Sequence, residues 1–162
     1  LPKLARQVLG LSELQRGGYL GLMALTLILG GVSALLLGKF LHHGAAIFVG
    51  TMTASLLFAS LSLWTSATVS ATALGAMGLL GGMVISFIIA GIQGQAPEAL
   101  RGRIMSIYSI ISQVVPAASG VAAGALVRST GITDAILYAG VGLASLALLG
   151  ALFMPQLRRM HT

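Results

Sequence analysis

Cysteine is absent from the sequence, and charged residues are scarce. Only 7% of the 162 residues are Asp, Glu, Lys or Arg, whereas a soluble domain carries roughly 25%. The absence of cysteine excludes disulfide bonds and thiolate metal ligands. Because 57% of the residues are hydrophobic, a chain of this size cannot hide its apolar surface from water, and we expect membrane lipid to be its solvent. The net charge of +6 does not indicate a nucleic-acid partner, since Lys and Arg are too dispersed to follow phosphates.

Long uncharged runs fill most of the chain. A transmembrane helix needs about 20 mainly apolar residues, and five runs without Asp, Glu, Lys, Arg or His meet this requirement. None shows the alternation of a membrane β-strand, so we predict an all-α integral membrane fold with a bundle over residues 17–155. Residues 1–16 are a loop or the end of a preceding helix, and residues 156–162 a cytoplasmic tail. The predicted spans are residues 17–38, 45–64, 69–92, 104–127 and 135–154.

Helix-starting residues and basic loops define the topology. Ser12 and Gln15 have the spacing of a capping box, and Pro97 suits the first turn of a helix. Five spans place the two chain ends on opposite sides of the membrane. The positive-inside rule favours a cytoplasmic C-terminus, and we expect a multi-pass protein of the cell inner membrane. The C-terminal side has Lys39, Arg101, Arg103, Arg158 and Arg159, and the other side has Lys3, Arg6, Arg16 and Arg128.

Signatures of enzymes and metal sites are incomplete. Gly38-Lys39 resembles the end of a phosphate-binding loop, but Ser33 replaces the upstream glycine and Phe40 replaces the metal-binding Ser or Thr. The adjacent His42 and His43 could bind a metal, although no third ligand is near, and the alternative is two polar residues in a loop. We therefore expect no enzyme, no cofactor and no metal.

Glycines and polar residues recur at helical spacing. The pairs Gly17–Gly21, Gly78–Gly82 and Gly120–Gly124 predict close helix packing, or contacts that let helices rock. Small and polar residues share one face of the third span (Gly75, Gly78, Gly82, Ser86 and Gln93) and one face of the fourth (Ser106, Ser109, Gln113, Pro116, Gly120 and Gly124). These faces form either interhelical hydrogen bonds or the wall of a path. The candidate path residues are Ser86, Gln93, Ser109, Gln113, Pro116 and Gly120.

The segment from Gln95 to Ser106, with the sequence QAPEALRGRIMS, carries a family resemblance. It resembles the loop between helices ten and eleven of major facilitator superfamily transporters, most closely in the branch that exports drugs, macrolides and siderophores. The stretch from Pro116 to Gly124 is similar to the eleventh helix of that family. Gly38-Lys39 resembles a degraded form of the family's basic gating motif, without the acidic residue that normally accompanies it.

This resemblance implies that the chain is helices eight to twelve of a twelve-helix bundle, a fragment whose partner is the N-terminal six-helix half. The implied function is secondary active transport, namely proton-coupled efflux of a small apolar or amphipathic compound by an antiporter with alternating access. The coupling carboxylate would then lie in the other half. The alternative is a non-transporting helical membrane scaffold or assembly subunit. A cytoplasmic gating cluster, or a solvated loop that only sets orientation, would comprise Lys39, Glu98, Arg101, Gly102 and Arg103.

Overall fold

All regular structure in the described part of the chain is helical. The computed structural model describes residue 6, residues 9–38 and residues 43–153. Five helices follow one another: α1 (Glu13–Leu37), α2 (His43–Ser60), α3 (Ala67–Gln95), α4 (Glu98–Thr130) and α5 (Ile132–Phe153). Each is long and apolar enough to cross a membrane. The prediction of an all-α fold with five candidate spans is therefore confirmed.

The helices begin where the sequence places polar and charged residues. At the start of α1, the Ser12 amide donates to Gln15 Oε1 at 2.9 Å and the Gln15 amide donates to Ser12 Oγ at 3.4 Å. These two bonds satisfy amide groups that have no partner within the helix, and they confirm the predicted capping box. Glu98 lies in the first turn of α4 and Arg128 in its last turn. The uncharged part of α4 thus lies between two charged ends.

The helix ends differ from the predicted spans by up to six residues, most of all in α4 and α2. α4 has 33 residues, compared with the 24 of the predicted span at 104–127, because the helix continues through charged turns that a hydropathy criterion excludes. α2 ends at Ser60 rather than at residue 64. The amides of residues 61–63 each donate to the carbonyl three residues earlier and form a turn, which leaves Trp64 outside the helix. The predicted end of the last span, residue 154, lies beyond the described residues.

Four helices pack in the order α1, α3, α2, α5, and α4 lies apart from them. α1 contacts α3, α3 also contacts α2, and α2 contacts α5. Within the described residues, α4 contacts only α3 and α5, the two helices that precede and follow it. No residue of α4 is buried. The longest helix therefore has its sides uncovered along most of its length.

Glycine brings the backbones of α1 and α3 together. A Cβ atom built on Gly82 would collide with the carbonyl oxygen of Leu27 and would lie 2.8 Å from the amide nitrogen of Gly31. A Cβ on Gly78 would lie 2.7 Å from the carbonyl oxygen of Met23. The pair Gly78–Gly82 thus packs closely, as predicted. The other two pairs make no such contact within the described chain, since an added Cβ would meet nothing within 4 Å at Gly17, Gly21, Gly120 or Gly124. For these pairs, packing against another helix stays a prediction.

Candidate functional site

The polar side chains of α4 donate hydrogen bonds to their own helix. Gln113 Nε2 donates to the carbonyl oxygen of Ser109 at 3.2 Å, and the hydroxyl of Ser112 donates to the same carbonyl at 2.8 Å. Ser119 Oγ donates to the carbonyl oxygen of Pro116 at 2.9 Å. These bonds provide partners for donors that hydrocarbon cannot satisfy. Among the described residues, no hydrogen bond links this face to another helix.

Pro116 lies inside α4 without interrupting it. The helix is continuous from Glu98 to Thr130, although proline has no amide hydrogen and leaves the carbonyl of Ser112 without its usual partner. Residues 111–120 are all exposed. The middle of α4 therefore combines a backbone carbonyl that lacks its usual amide donor, the Gln113 amide and an open surface.

The small and polar face of α3 is directed toward α1. Gly75 lies near Leu22 and Thr26, and Gly78 and Gly82 contact the α1 backbone. A Cβ on Gly31 of α1 would lie 3.4 Å from Ser86 Oγ. Ser86 is thus partly buried against α1, and the contacts of this face are those of helix packing.

The two sets of predicted path residues do not meet. Ser86 faces α1, whereas Ser109 and Gln113 lie on exposed α4, which makes no contact with α1. Gln93 is exposed near the end of α3, and Gly120 has open space around it. A path lined by both helices is not formed within this chain, and the assignment of these residues to a path stays a prediction.

The predicted charge cluster occupies the first turns of α4. Glu98, Arg101, Gly102 and Arg103 are all exposed. In the part of the chain that the structure describes, the only ion pair joins Arg16 to Glu13 at 3.3 Å, so Glu98 and the two arginines do not pair with each other. Lys39 lies outside the described residues, as does His42.

A groove between α2 and α3 was not predicted from the sequence. It has a volume of about 270 Å³ and lies at the end of α3, with Gln95 at its rim. All its lining side chains are apolar except that amide. The His43 ring packs edge-on against Phe87, with 4.9 Å between ring centroids. The Phe48 ring packs against Gly150 of α5. In the sequence, the only indication of this groove is a glycine four residues from a phenylalanine in each helix. Many packed helices share this pattern, so it does not predict a groove.

Gly44 and Gly91 open the groove, one from each helix. Gly44 is buried, and a Cβ built on Gly91 would meet nothing within 4 Å. Elsewhere in the described chain, no three His, Cys, Asp or Glu side chains are placed to hold a metal ion. The groove and the exposed face of α4 are thus two candidate sites within the described chain.

The sequence matches no protein-family model, and it matches neither a curated protein nor a solved structure. The class of molecule that the fold defines is a helical chain with five helices long and apolar enough to span a membrane. The family resemblance therefore depends on the segment from Gln95 to Ser106 and on the small-residue pattern that follows it.

Proposed function

We propose that this chain is the C-terminal half of a secondary active transporter that resembles the major facilitator superfamily and exports a small apolar or amphipathic compound in exchange for protons. The observation that carries the proposal is the open polar face of α4. Gln113 lies ten residues beyond Arg103, about 15 Å along a helix at 1.5 Å per residue, which is near the middle of a bilayer. A polar group at that depth normally faces protein or a water-filled cavity.

A partner for this face would have to come from outside the described helices. Gln113 Oε1 accepts none of the hydrogen bonds formed between described residues, and no neighbouring helix covers it. A second helical bundle placed against α4 would enclose these groups between two halves. Substrate sites of such transporters lie at the midplane between repeats, and transport proceeds as one bundle rocks against the other.

The charges and their placement agree with this architecture. The segment 104–127 of α4 has no Asp, Glu, Lys, Arg or His, so proton coupling would depend on a carboxylate of the other half. If the C-terminus lies on the cytoplasmic side of the inner membrane, the exposed charge cluster in the first turns of α4 would also face the cytoplasm. There it would bias one of the two access states.

A scaffold or assembly subunit is the competing function. It is favoured by the bonds that Gln113 and the serines make within α4, because these bonds let the helix pack dry against another helix. A transporter needs the same face to meet water in at least one state. The two functions therefore differ in whether water reaches the polar face of α4.

Cysteine accessibility tests the proposal directly, because these 162 residues contain no cysteine of their own. Any cysteine elsewhere in the reading frame would first be replaced by serine. Ser109→Cys, Gln113→Cys and Gly120→Cys would be made singly in the full-length reading frame, with Leu149→Cys on exposed α5 as the lipid-facing control. We expect water-soluble thiol reagents to modify at least one α4 position and substrate to protect it, while Leu149→Cys stays unreactive. Absence of reaction at all three positions, with efflux intact, would support dry packing and remove these residues from the path.

A further inference from the structure

The groove between α2 and α3 has features of a lipid site that are independent of transport. Its volume of about 270 Å³ lies just below the roughly 300–1,000 Å³ of typical small-molecule pockets. It lies between two helices long enough to span a bilayer, and Gln95 is the single polar residue among those that line it. These properties suit a flexible hydrocarbon chain better than a compact polar ligand.

A short stretch of chain joins the polar end of the groove to two cations, Arg101 and Arg103. Arg101 follows Gln95 by six residues. The first three steps cross the connection to Glu98 and span at most about 3.6 Å each. The next three lie in α4 and rise about 1.5 Å each. The Cα atoms of Gln95 and Arg101 are therefore within about 16 Å of one another. Arg101 and Arg103 are exposed and form no ion pair with a described residue. Glu98 precedes them by one turn and leaves this segment with one net positive charge.

We propose that this groove binds one acyl chain of an anionic phospholipid whose phosphate is held by Arg101. Arg103 lies two residues further along α4 and faces away from Arg101, so it adds to the local positive charge without binding the same phosphate. A guanidinium donates two parallel hydrogen bonds to phosphate oxygens, and basic residues beside a membrane helix attract anionic headgroups. The His43 ring supports Phe87, and Gly150 supports Phe48. The two aromatic walls are thus held in place by neighbouring residues.

Competition between two lipids on the purified full chain tests the headgroup. Phosphatidylglycerol and phosphatidylcholine with identical acyl chains are offered at equal concentration, and the retained lipid is counted by native mass spectrometry. Juxtamembrane cations contribute about 1 kcal/mol each, or about five-fold in affinity. We therefore expect phosphatidylglycerol to be preferred about five-fold or more. The double variant Arg101→Gln/Arg103→Gln should lose the preference, and Arg128→Gln, at the opposite end of α4, should keep it.

Filling the groove tests the acyl chain. Gly91→Leu should lower retention of both lipids, because its side chain would enter open space in the groove. Gly81→Leu is the matched control on α3, since a Cβ there also meets nothing within 4 Å but does not line the groove. In the unmodified chain, a phosphatidylglycerol with a photoreactive acyl chain should crosslink to Ile47 or Ile88, whether or not the filled variant folds.

Four results would overturn the proposal. The first is equal retention of the two lipids by the natural chain, and the second is crosslinking that avoids the groove. The third is a loss of preference in Arg128→Gln as large as in the arginine pair, which would indicate attraction to net charge alone. The fourth is displacement of the retained phosphatidylglycerol by inorganic phosphate, which would identify a free anion site instead. None of these results depends on whether the full protein transports a substrate.

Discussion

A single buried hydrogen bond joins α1 to α3 near one end of the bundle. The hydroxyl groups of Tyr19 and Ser70 are 2.5 Å apart, and both residues are buried. Tyr19 also packs with Leu74, which is fully buried. The ring thus contributes apolar contact while its hydroxyl provides a polar partner inside an apolar region.

Tyr19→Phe should weaken the bundle by a small but measurable amount. Hydrogen bonds between membrane helices average about 0.6 kcal/mol and reach about 1.7 kcal/mol. We expect a loss within this range, because Ser70 can donate to a carbonyl of its own helix once its partner is gone. Tyr138→Phe is the matched control, since Tyr138 is exposed on α5. Unfolding of the full chain in mixed micelles measures both. Equal effects of the two variants would contradict the assigned role.

Individual contacts of this kind could not be predicted from the sequence. The periodicity of α3 correctly grouped Gly78, Gly82 and Ser86 on one face. It could not say that this face meets α1 rather than α4, because spacing fixes which residues share a side and not what covers it. Tyr19 and Ser70 are 51 positions apart, and no local pattern connects them.

At the scale of the element, the crossing of α1 and α3 depends on the absence of side chains. Helices in lipid gain stability from close packing rather than from the hydrophobic effect, so small residues at the contact are favoured. Gly30 of α1 lies against the backbone of Leu79, and Gly82 of α3 lies against Leu27. In both cases, therefore, a glycine of one helix packs directly against the backbone of the other helix.

Gly82→Ala should separate α1 from α3 and destabilise the chain. The added methyl group would collide with main-chain atoms, which cannot move aside as a flexible side chain can. Overpacking of this kind typically costs about 1–3 kcal/mol. Gly81→Ala is one residue away and meets open space, so it should be neutral or slightly stabilising because alanine favours helix. Thermal unfolding of both variants in one detergent measures the difference. Equal midpoints would show that the close approach is not needed.

The existence of the five helices was predictable, and their ends were less so. Hydropathy identifies apolar length, which is what a membrane selects. Helix structure also depends on backbone hydrogen bonds, which continue into charged turns. α4 accordingly extends through Arg101 and Arg103 at one end and Arg128 at the other. The same limit explains why the groove was missed, since a cavity is defined by two helices at once.

For the whole molecule, the order α1, α3, α2, α5 leaves α4 as the surface most in need of a partner. Helices that lie in lipid can expose apolar residues freely, as Val114 and Val115 are exposed here. Gln113 Oε1 and the Ser112 carbonyl, whose usual amide donor is replaced by Pro116, are different, because hydrocarbon offers them no hydrogen bond. The proposed second bundle, or a partner helix in the scaffold alternative, would cover this side.

The orientation of the whole chain provides the last prediction. Five spans with the C-terminus in the cytoplasm place Arg101 on the cytoplasmic side. They place Thr65, which follows α2, and Ser129, at the end of α4, on the outer side. All three are exposed. These 162 residues contain no cysteine, so a single replacement by Cys introduces the one thiol within them, and any cysteine elsewhere in the reading frame would first be replaced by serine. A membrane-impermeant maleimide added to intact cells should label positions 65 and 129 but label position 101 only after permeabilisation. Labelling of position 101 alone in intact cells would invert the topology and place the groove and its two arginines on the outer face. Labelling of all three positions would contradict a spanning α4.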